Sequence, residues 1–198
     1  MPKNNRNRSM PSEPKTEAAR QAKREFERRV KEQIEKEQEI AFNILVWGAS
    51  PDRDLSIARK REGIGNQLIQ DGHNAMFSED LANLDQGVGL SEASKEFAQA
   101  RAADFIIVLI EDSTGALAEV CDLCVHPDIA SKVYVMAPES YRAGYAGQGA
   151  LRELDEGYGS VHWYRQEDVE SCDVLTKACA RVQARRSVVH RHQSGRTT

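Results

Sequence analysis

The segment EDSTGALAEV, residues 111–120, carries the side chains best suited to chemistry in this sequence. Two of its acids, Asp112 and Glu119, are separated by a stretch with small residues that a ligand can approach closely, among them Ser113, Thr114 and Gly115. Glu119 has apolar neighbours, and a carboxylate is costly to bury unless it is paired or used. Acids of this kind collect at active sites. The sequence therefore predicts Glu119 as a catalytic residue.

A structural role for Glu119 is the alternative. A salt bridge to Arg101 or to Lys132 would satisfy the carboxylate without any ligand. The sequence leaves this alternative open, and the position of Glu119 shortly after a predicted strand favours the catalytic role.

A second loop follows the first predicted strand and offers candidate substrate-binding residues. These are Gly48, Ala49, Ser50 and Arg53. Small residues let a ligand approach the backbone, and the next helix offers its positive N-terminal end. The loop is not a G-x-G-x-x-G fingerprint. A phosphate on the ligand would be held by Arg53 or by one or two of the basic residues 59–61, while the rest of that basic run faces solvent.

Apolar runs alternating with helical segments must position these two loops. The predicted strands are Asn43–Trp47, His73–Phe77, Phe105–Ile110, Lys132–Ala137 and Ser160–Tyr164. Helices are predicted at Leu55–Gln70, Ser91–Arg101 and Gly115–Val125, then up to Glu156 and from Asp168 onward. This alternation predicts a doubly wound α/β domain with a five-stranded parallel sheet of flavodoxin-like order 2-1-3-4-5. In that order both loops meet in a crevice at the carboxyl ends of strands 1 and 3.

The residues Asp112, Ser113-Thr114-Gly115 and Glu119 resemble the pattern of the nucleoside 2-deoxyribosyltransferase family. The resemblance implies that Glu119 attacks the anomeric carbon and that Asp112 contacts the base or sugar. It places a further acid at Glu96, on the helix before the third strand, where the family has Asp. Val120-Cys121 departs from the small residue that usually follows the family's glutamate. The resemblance implies no cofactor.

The same arrangement is similar to the NAD-cleaving TIR domains and to the LOG-type phosphoribohydrolases, although the doubled glycine of the latter is missing. All three groups break an N-glycosidic bond with a glutamate. We therefore expect N-glycosidic cleavage or transfer on a nucleoside, a nucleotide or an NAD-like metabolite. Two alternatives stay open: a non-catalytic nucleotide-binding sensor or effector, by analogy with bacterial defence systems, and a purely structural subunit.

The N-terminal region is predicted to consist of a disordered basic tail at residues 1–14 and a charged helix at residues 15–41. The helix has a thin apolar stripe formed by Phe26, Val30 and Ile34. It is interpreted either as a solvated helix or as a docking helix for a partner or a second copy. The α/β domain is expected at residues 42–186, followed by a basic tail at residues 187–198.

Charge and composition limit the classes of function. Residues 32–180 hold twelve basic and twenty-seven acidic side chains, a net charge of −15. Such a domain is a poor non-specific binder of nucleic acid, which only the basic tails are expected to contact. The longest apolar run has six residues, too short for a membrane span, and no secretory signal is recognised. The sequence therefore predicts a cytoplasmic protein.

The four cysteines are expected to be reduced. Cys121, Cys124 and His126 have spacing reminiscent of a zinc knuckle, but a closed structural site needs four ligands and no second knuckle is present. The cysteines are interpreted as small apolar residues, and no metal site is predicted.

Overall fold

The central feature of the computed structural model is a five-stranded parallel sheet of order β2-β1-β3-β4-β5. The residues described are 16–49, 56–81, 89, 91–111 and 114–195. The strands are β1 (Asn43–Trp47), β2 (Asn74–Met76), β3 (Phe105–Leu109), β4 (Val133–Pro138) and β5 (Val161–Tyr164). The doubly wound fold and the predicted strand order are confirmed.

Helices connect the strands. They are α1 (Glu17–Gln38), α2 (Ser56–Gln70), α3 (Glu92–Ala102), α4 (Thr114–Cys124), α5 (Pro127–Ala130), α6 (Tyr145–Gln148), α7 (Ala150–Tyr158), α8 (Gln166–Glu170) and α9 (Asp173–Ser194). Ser91 caps α3, and its Oγ accepts a hydrogen bond of 3.2 Å from the Ser94 amide. Short 3₁₀ turns at Ser78–Leu81 and Glu139–Tyr141 follow β2 and β4.

Two apolar clusters form the core, one on each face of the sheet. The first packs α2 and α9 against strand residues such as Val46, Leu109 and Met136. The second packs α3, α4 and α7 against residues such as Trp47 and Val108. Every residue of β3 is buried, as expected for the central strand of a sheet covered on both faces.

The chain divides into two compact units, Met1–Glu39 and Ile40–Thr198. The helix α1 of the first unit confirms the predicted charged helix. Thr16 caps it, because its hydroxyl accepts a 3.2 Å hydrogen bond from the Ala19 amide. No residue of α1 is buried, and the predicted apolar stripe of Phe26, Val30 and Ile34 is exposed.

The C-terminal region differs in detail from its predicted form. The sequence predicts one last helix and a tail from residue 187. Instead, extended backbone at Ser171 separates α8 from α9, and α9 continues to Ser194. Val189 packs against the first apolar cluster, so the boundary proposed at residue 186 falls inside a helix that belongs to the core.

A buried arginine attaches α9 to the amino ends of the strands. Arg186 is 3% exposed and donates to the carbonyls of Ile40 at 3.1 Å and Asp71 at 2.7 Å. Next to it, His73 Nδ1 accepts a 3.2 Å hydrogen bond from the Phe42 amide, and the two rings stack 5.4 Å apart. Burial and the charge of Arg186 lower the pKa of His73 from 6.5 to about 4, against a smaller opposing effect of Asp71.

None of the helices in the described parts of the chain has the length and apolarity that a membrane span requires.

His73 predicts a pH dependence of stability. Between pH 6.5 and about 4 the unfolded chain holds a proton on His73 that the folded chain does not. Acidification through this window should therefore destabilise the fold, by at most about 3 kcal/mol from this group. Urea unfolding at pH 7 and pH 4.5 measures the loss. The variant His73→Asn keeps an acceptor for the Phe42 amide but does not titrate, so its free energy of unfolding should fall less between pH 7 and pH 4.5 than that of the unmodified protein. Equal falls would contradict the role of His73 in the pH dependence.

Candidate functional site

The chain leaves β1 at the carboxyl edge of the sheet through a glycine that no other residue can replace without strain. Gly48 has a φ of +146°, and a Cβ there would lie 2.7 Å from the Leu109 carbonyl oxygen of the neighbouring strand. The lack of a side chain lets the backbone of the first loop pass directly over the end of β3. Gly48 and Ala49 therefore lie at the predicted crevice.

A buried guanidinium holds this turn in place. Arg61 of α2 is 1% exposed. Its Nε donates to the Val46 carbonyl at 2.9 Å, and its Nη1 donates to the Ala49 carbonyl at 3.1 Å. One side chain thus pairs two main-chain acceptors on either side of Gly48, which fixes the path of the chain out of β1.

Glu79, in the turn after β2, completes the environment of Arg61. Two hydrogen bonds, of 2.7 Å from Nη1 and 2.6 Å from Nη2, join the guanidinium to the Glu79 carboxylate. The Phe77 ring lies 4.6 Å from the guanidinium carbon. The hydrogen bonds from Arg61 keep the pKa of Glu79 below its usual value. Arg61 therefore ties the ends of β1 and β2 together.

Two tyrosines from the part of the sheet formed by β4 and β5 contact the end of β3. Tyr164, at the end of β5, donates its hydroxyl to the Ile110 carbonyl at 2.5 Å. Tyr141, in the turn after β4, donates to the Glu111 carbonyl at 3.3 Å. These bonds position the last described residues before the acidic loop, because they pair consecutive carbonyls at the exit of the strand.

Two partly buried glutamates stand on neighbouring helices above this edge. Glu96 is on α3 and Glu119 is on α4, each in the second turn of a helix that begins at the carboxyl edge. Burial raises the pKa of Glu119. Burial, and then the charges of Glu119 and Glu92, raise the pKa of Glu96. The two carboxyls are therefore close enough for the charge of Glu119 to disfavour ionisation of Glu96.

The salt-bridge alternative for Glu119 is not what the described residues show. Arg101 pairs with Asp128 at 3.2 Å. Lys132 donates to the carbonyls of Arg101 and Ala103, at 2.8 and 2.6 Å. Within the described part of the chain Glu119 has neither a hydrogen bond nor an ion pair.

The other predicted site residues divide into two groups. Thr114 and Gly115 are in the first turn of α4, close in sequence to Glu119. Four predicted residues lie outside the described residues: Ser50, Arg53, Asp112 and Ser113.

Two residues of the basic run 59–61 have hydrogen-bond partners within the protein. Arg59 is exposed, and Lys60 Nζ donates to the Ser171 carbonyl at 2.6 Å. Arg61 does point to the crevice loop, but the loop carbonyls and Glu79 engage its donors. Its position in the apolar stripe of α2, four residues after Ile57 and three before Ile64, was a signal in the sequence for this buried role.

The cysteines are free and carry no sign of activation. Burial raises the pKa of Cys121, and it raises that of Cys124 to about 11, so both favour the thiol form. Among the described residues there is no cluster of three or more potential metal ligands.

A separate cavity of about 470 Å³ lies along β5 and the turn that follows β4. Its lining residues are Glu139, Arg142, Val161, His162, Trp163, Arg165 and Asp168. Arg165 Nε is 2.6 Å from a Glu139 carboxylate oxygen, so charges of opposite sign compensate one another within the lining. None of the predicted site residues lines this cavity.

Comparison with known protein families finds no family model that matches the chain, and comparison with curated proteins finds no match either. The assignment of a function therefore depends on the geometry of the crevice.

Gly48→Ala should destabilise the domain by about 2 kcal/mol or more, because it adds a methyl group against a main-chain carbonyl at a positive φ. The matched control is Gly157→Ala in α7, where a Cβ meets nothing within 4 Å. The free energy of unfolding of that variant should rise by about 0.5–1 kcal/mol, because alanine has a better helix propensity than glycine. Chemical denaturation measures both, and equal effects at the two glycines would contradict the close approach at Gly48.

Arg61→Met should lower the free energy of unfolding by about 2–4 kcal/mol, because it leaves the Val46 and Ala49 carbonyls without their donor. Arg61→Lys should cost less, since one ammonium can reach only part of this set. Arg59→Met, two residues away on the exposed face, should change stability by no more than about 0.5 kcal/mol. Urea unfolding of the three variants tests this. Similar losses at positions 59 and 61 would show that Arg61 does not organise the loop.

Proposed function

We propose that this protein cleaves or transfers the N-glycosidic bond of a nucleoside, a nucleotide or an NAD-like metabolite, with Glu119 as the nucleophile. The observation that carries the proposal is the pair formed by Glu119 and Glu96. They are partly buried on two helices at the carboxyl edge of a doubly wound sheet, and Glu119 has neither a hydrogen bond nor an ion pair among the described residues. Burial raises the pKa of both carboxyls, and the charge of Glu119 adds to this effect at Glu96. Ligands of such sheets bind at this edge.

The two acids suit the two halves of the reaction. In the first half, a Glu119 carboxylate oxygen bonds to the anomeric carbon while the bond from that carbon to the base nitrogen breaks. Glu96, in its protonated form, gives its proton to the departing base. In the second half, water or an N–H nitrogen of an acceptor base attacks the anomeric carbon and releases the sugar from the ester, and the Glu96 carboxylate takes up the proton of the attacking group.

The electrostatics support this division of roles. A nucleophile must be ionised and a general acid must be protonated at the same pH, so the two groups need different affinities for the proton. Burial, and then the charge of Glu119, raise the pKa of Glu96, which is the direction that a general acid requires. The exposed neighbour Glu92 acts in the same direction.

The resemblance to the deoxyribosyltransferases supplies the remaining parts of the proposal. Asp112 would contact the base or sugar, and Ser50, Arg53 and Ser113 would line the ligand site. The chemistry requires no cofactor, since a carboxylate and a proton donor suffice for displacement at an anomeric carbon.

A non-catalytic sensor is the second candidate, and α1 is the observation that favours it. The exposed Phe26, Val30 and Ile34 form an apolar stripe on a helix with no buried residue, which suits a contact with another protein or a second copy. In this candidate the crevice binds a nucleotide without cleaving it, and α1 transmits the bound state.

The test of the proposed function is release of free base from a panel of nucleosides, nucleotides and NAD. Glu119→Gln should reduce the rate by at least about 10³-fold, because the amide cannot act as the nucleophile. Asp122→Asn, an exposed change on the same helix, is the matched control and should keep the activity. The rate should rise with pH as Glu119 ionises and fall as Glu96 loses its proton, with both limbs above pH 4.5 because both pKa values are raised.

Full activity of Glu119→Gln would end the proposal. If one of the nucleosides, nucleotides or NAD binds without release of base, and binds equally well to Glu119→Gln, the result would favour the non-catalytic sensor.

A further inference from the structure

The indole of Trp47 carries a buried donor that the protein does not use. Trp47 is the last residue of β1 and is 3% exposed. Its Nε1 has neither solvent contact nor a hydrogen-bond partner. Among the described residues only two other side-chain atoms share this condition, Gln99 Oε1 and His162 Nε2.

A buried hydrogen-bond donor without a partner lowers the stability of the fold. Leaving one N–H group without a partner costs about 1–3 kcal/mol, and native proteins pair most such groups. Phe would fill much of the same apolar space without this penalty. A hydrogen-bond acceptor supplied by a ligand therefore explains best why this position holds a tryptophan.

The position of Trp47 identifies where that acceptor would come from. Trp47 directly precedes Gly48, at the carboxyl edge of the sheet, and pairs in register with Val108 of β3. Its side chain belongs to the apolar cluster beneath α3 and α4, the helices that carry Glu96 and Glu119. The donor and the two acids therefore share one face of the sheet at one end.

The indole does not serve the acids themselves. A hydrogen bond from an N–H group to a carboxylate favours ionisation, whereas the pKa values of Glu96 and Glu119 are both raised. Neither carboxylate accepts a hydrogen bond from Trp47, since the indole nitrogen has no partner.

We propose that Trp47 is a ligand-binding residue of the crevice, whose indole N–H donates a hydrogen bond to an acceptor atom on the sugar or base of the bound nucleoside or nucleotide. This inference rests on the proposed ligand class but not on cleavage. Since Trp47 is fixed in a buried strand, its donor needs no ordering when the ligand binds. The site discriminates against analogues that lack the acceptor, because they leave the N–H group unpaired.

Indole NMR tests the proposal on the full chain. The protein has two tryptophans, so ¹⁵N-tryptophan labelling gives two Nε1–H signals, and Trp163→Phe assigns them. The probes are adenosine, AMP, inosine, thymidine and NAD, added to the Glu119→Gln variant to prevent turnover. We expect at least one probe to move the Trp47 signal downfield while the Trp163 signal stays in place.

An isosteric replacement supplies a second measurement that does not depend on a disruptive mutation. In the Trp163→Phe background, β-(3-benzothienyl)alanine at position 47 replaces the N–H group by sulfur at nearly constant shape. Removing the unpaired donor should raise the unfolding temperature of the ligand-free protein. It should also weaken binding of the probe about fivefold to tenfold, the value of one lost hydrogen bond.

The outcomes separate this inference from the proposed activity. Base release that depends on Glu119, together with an unmoved Trp47 signal and unchanged affinity of the isostere, would overturn the role of Trp47 and leave the activity in place. A moved signal and weakened isostere binding without base release would support the role of Trp47 and contradict the activity. A Trp47 signal that no probe moves would overturn the inference.

Discussion

The buried guanidinium of Arg61 is the contact on which the crevice depends. A charge in the core is tolerated only when its donors are paired, and here the partners are one carbonyl of β1, one carbonyl of the first loop and one carboxylate after β2. Because these partners come from two strand ends, the arginine sets their relative positions. Gly48 permits the arrangement by passing over β3 without a side chain. Tyr164 and Tyr141 then fix β3 at its exit.

The main chain at the carboxyl edge of the sheet is held by paired side chains, whereas three polar groups near this edge have no favourable partner among the residues that the structure describes. Glu96 and Glu119 bear raised pKa values, and the Trp47 indole lacks an acceptor, so three polar groups each reduce the stability of the ligand-free domain. The buried arginines Arg61 and Arg186 are paired, and the described residues hold two further buried atoms without a partner, Gln99 Oε1 and His162 Nε2. Such a local departure from good pairing is what a binding or catalytic site requires, because a group that is already satisfied gains nothing from a ligand.

The sheet was predictable from the sequence because buried parallel strands are continuous apolar runs, and β3 is the clearest of them. The partly buried setting of Glu119 was predictable because its neighbours in the sequence are apolar, whereas its catalytic role stays a prediction. The roles of Arg61 and Arg186 were missed, since a basic residue on a helix is normally solvated. Both continue an apolar stripe, Ile57 and Ile64 around Arg61 and Val182 before Arg186, but the stripe does not reveal which carbonyls they would meet. Such partners are set by tertiary contacts that local spacing does not encode.

Arg186 has a consequence for how the domain forms during synthesis. It joins the last helix to Ile40, where the compact unit begins, and to Asp71, contacts that span 146 and 115 positions of the chain. Tyr164 adds a link from the fifth strand to the third. A nascent chain still lacking α9 would therefore have unpaired carbonyls at the amino ends of the strands and an open first apolar cluster. The domain is expected to complete its folding only after its final helix leaves the ribosome, and until then that apolar surface would require protection from aggregation.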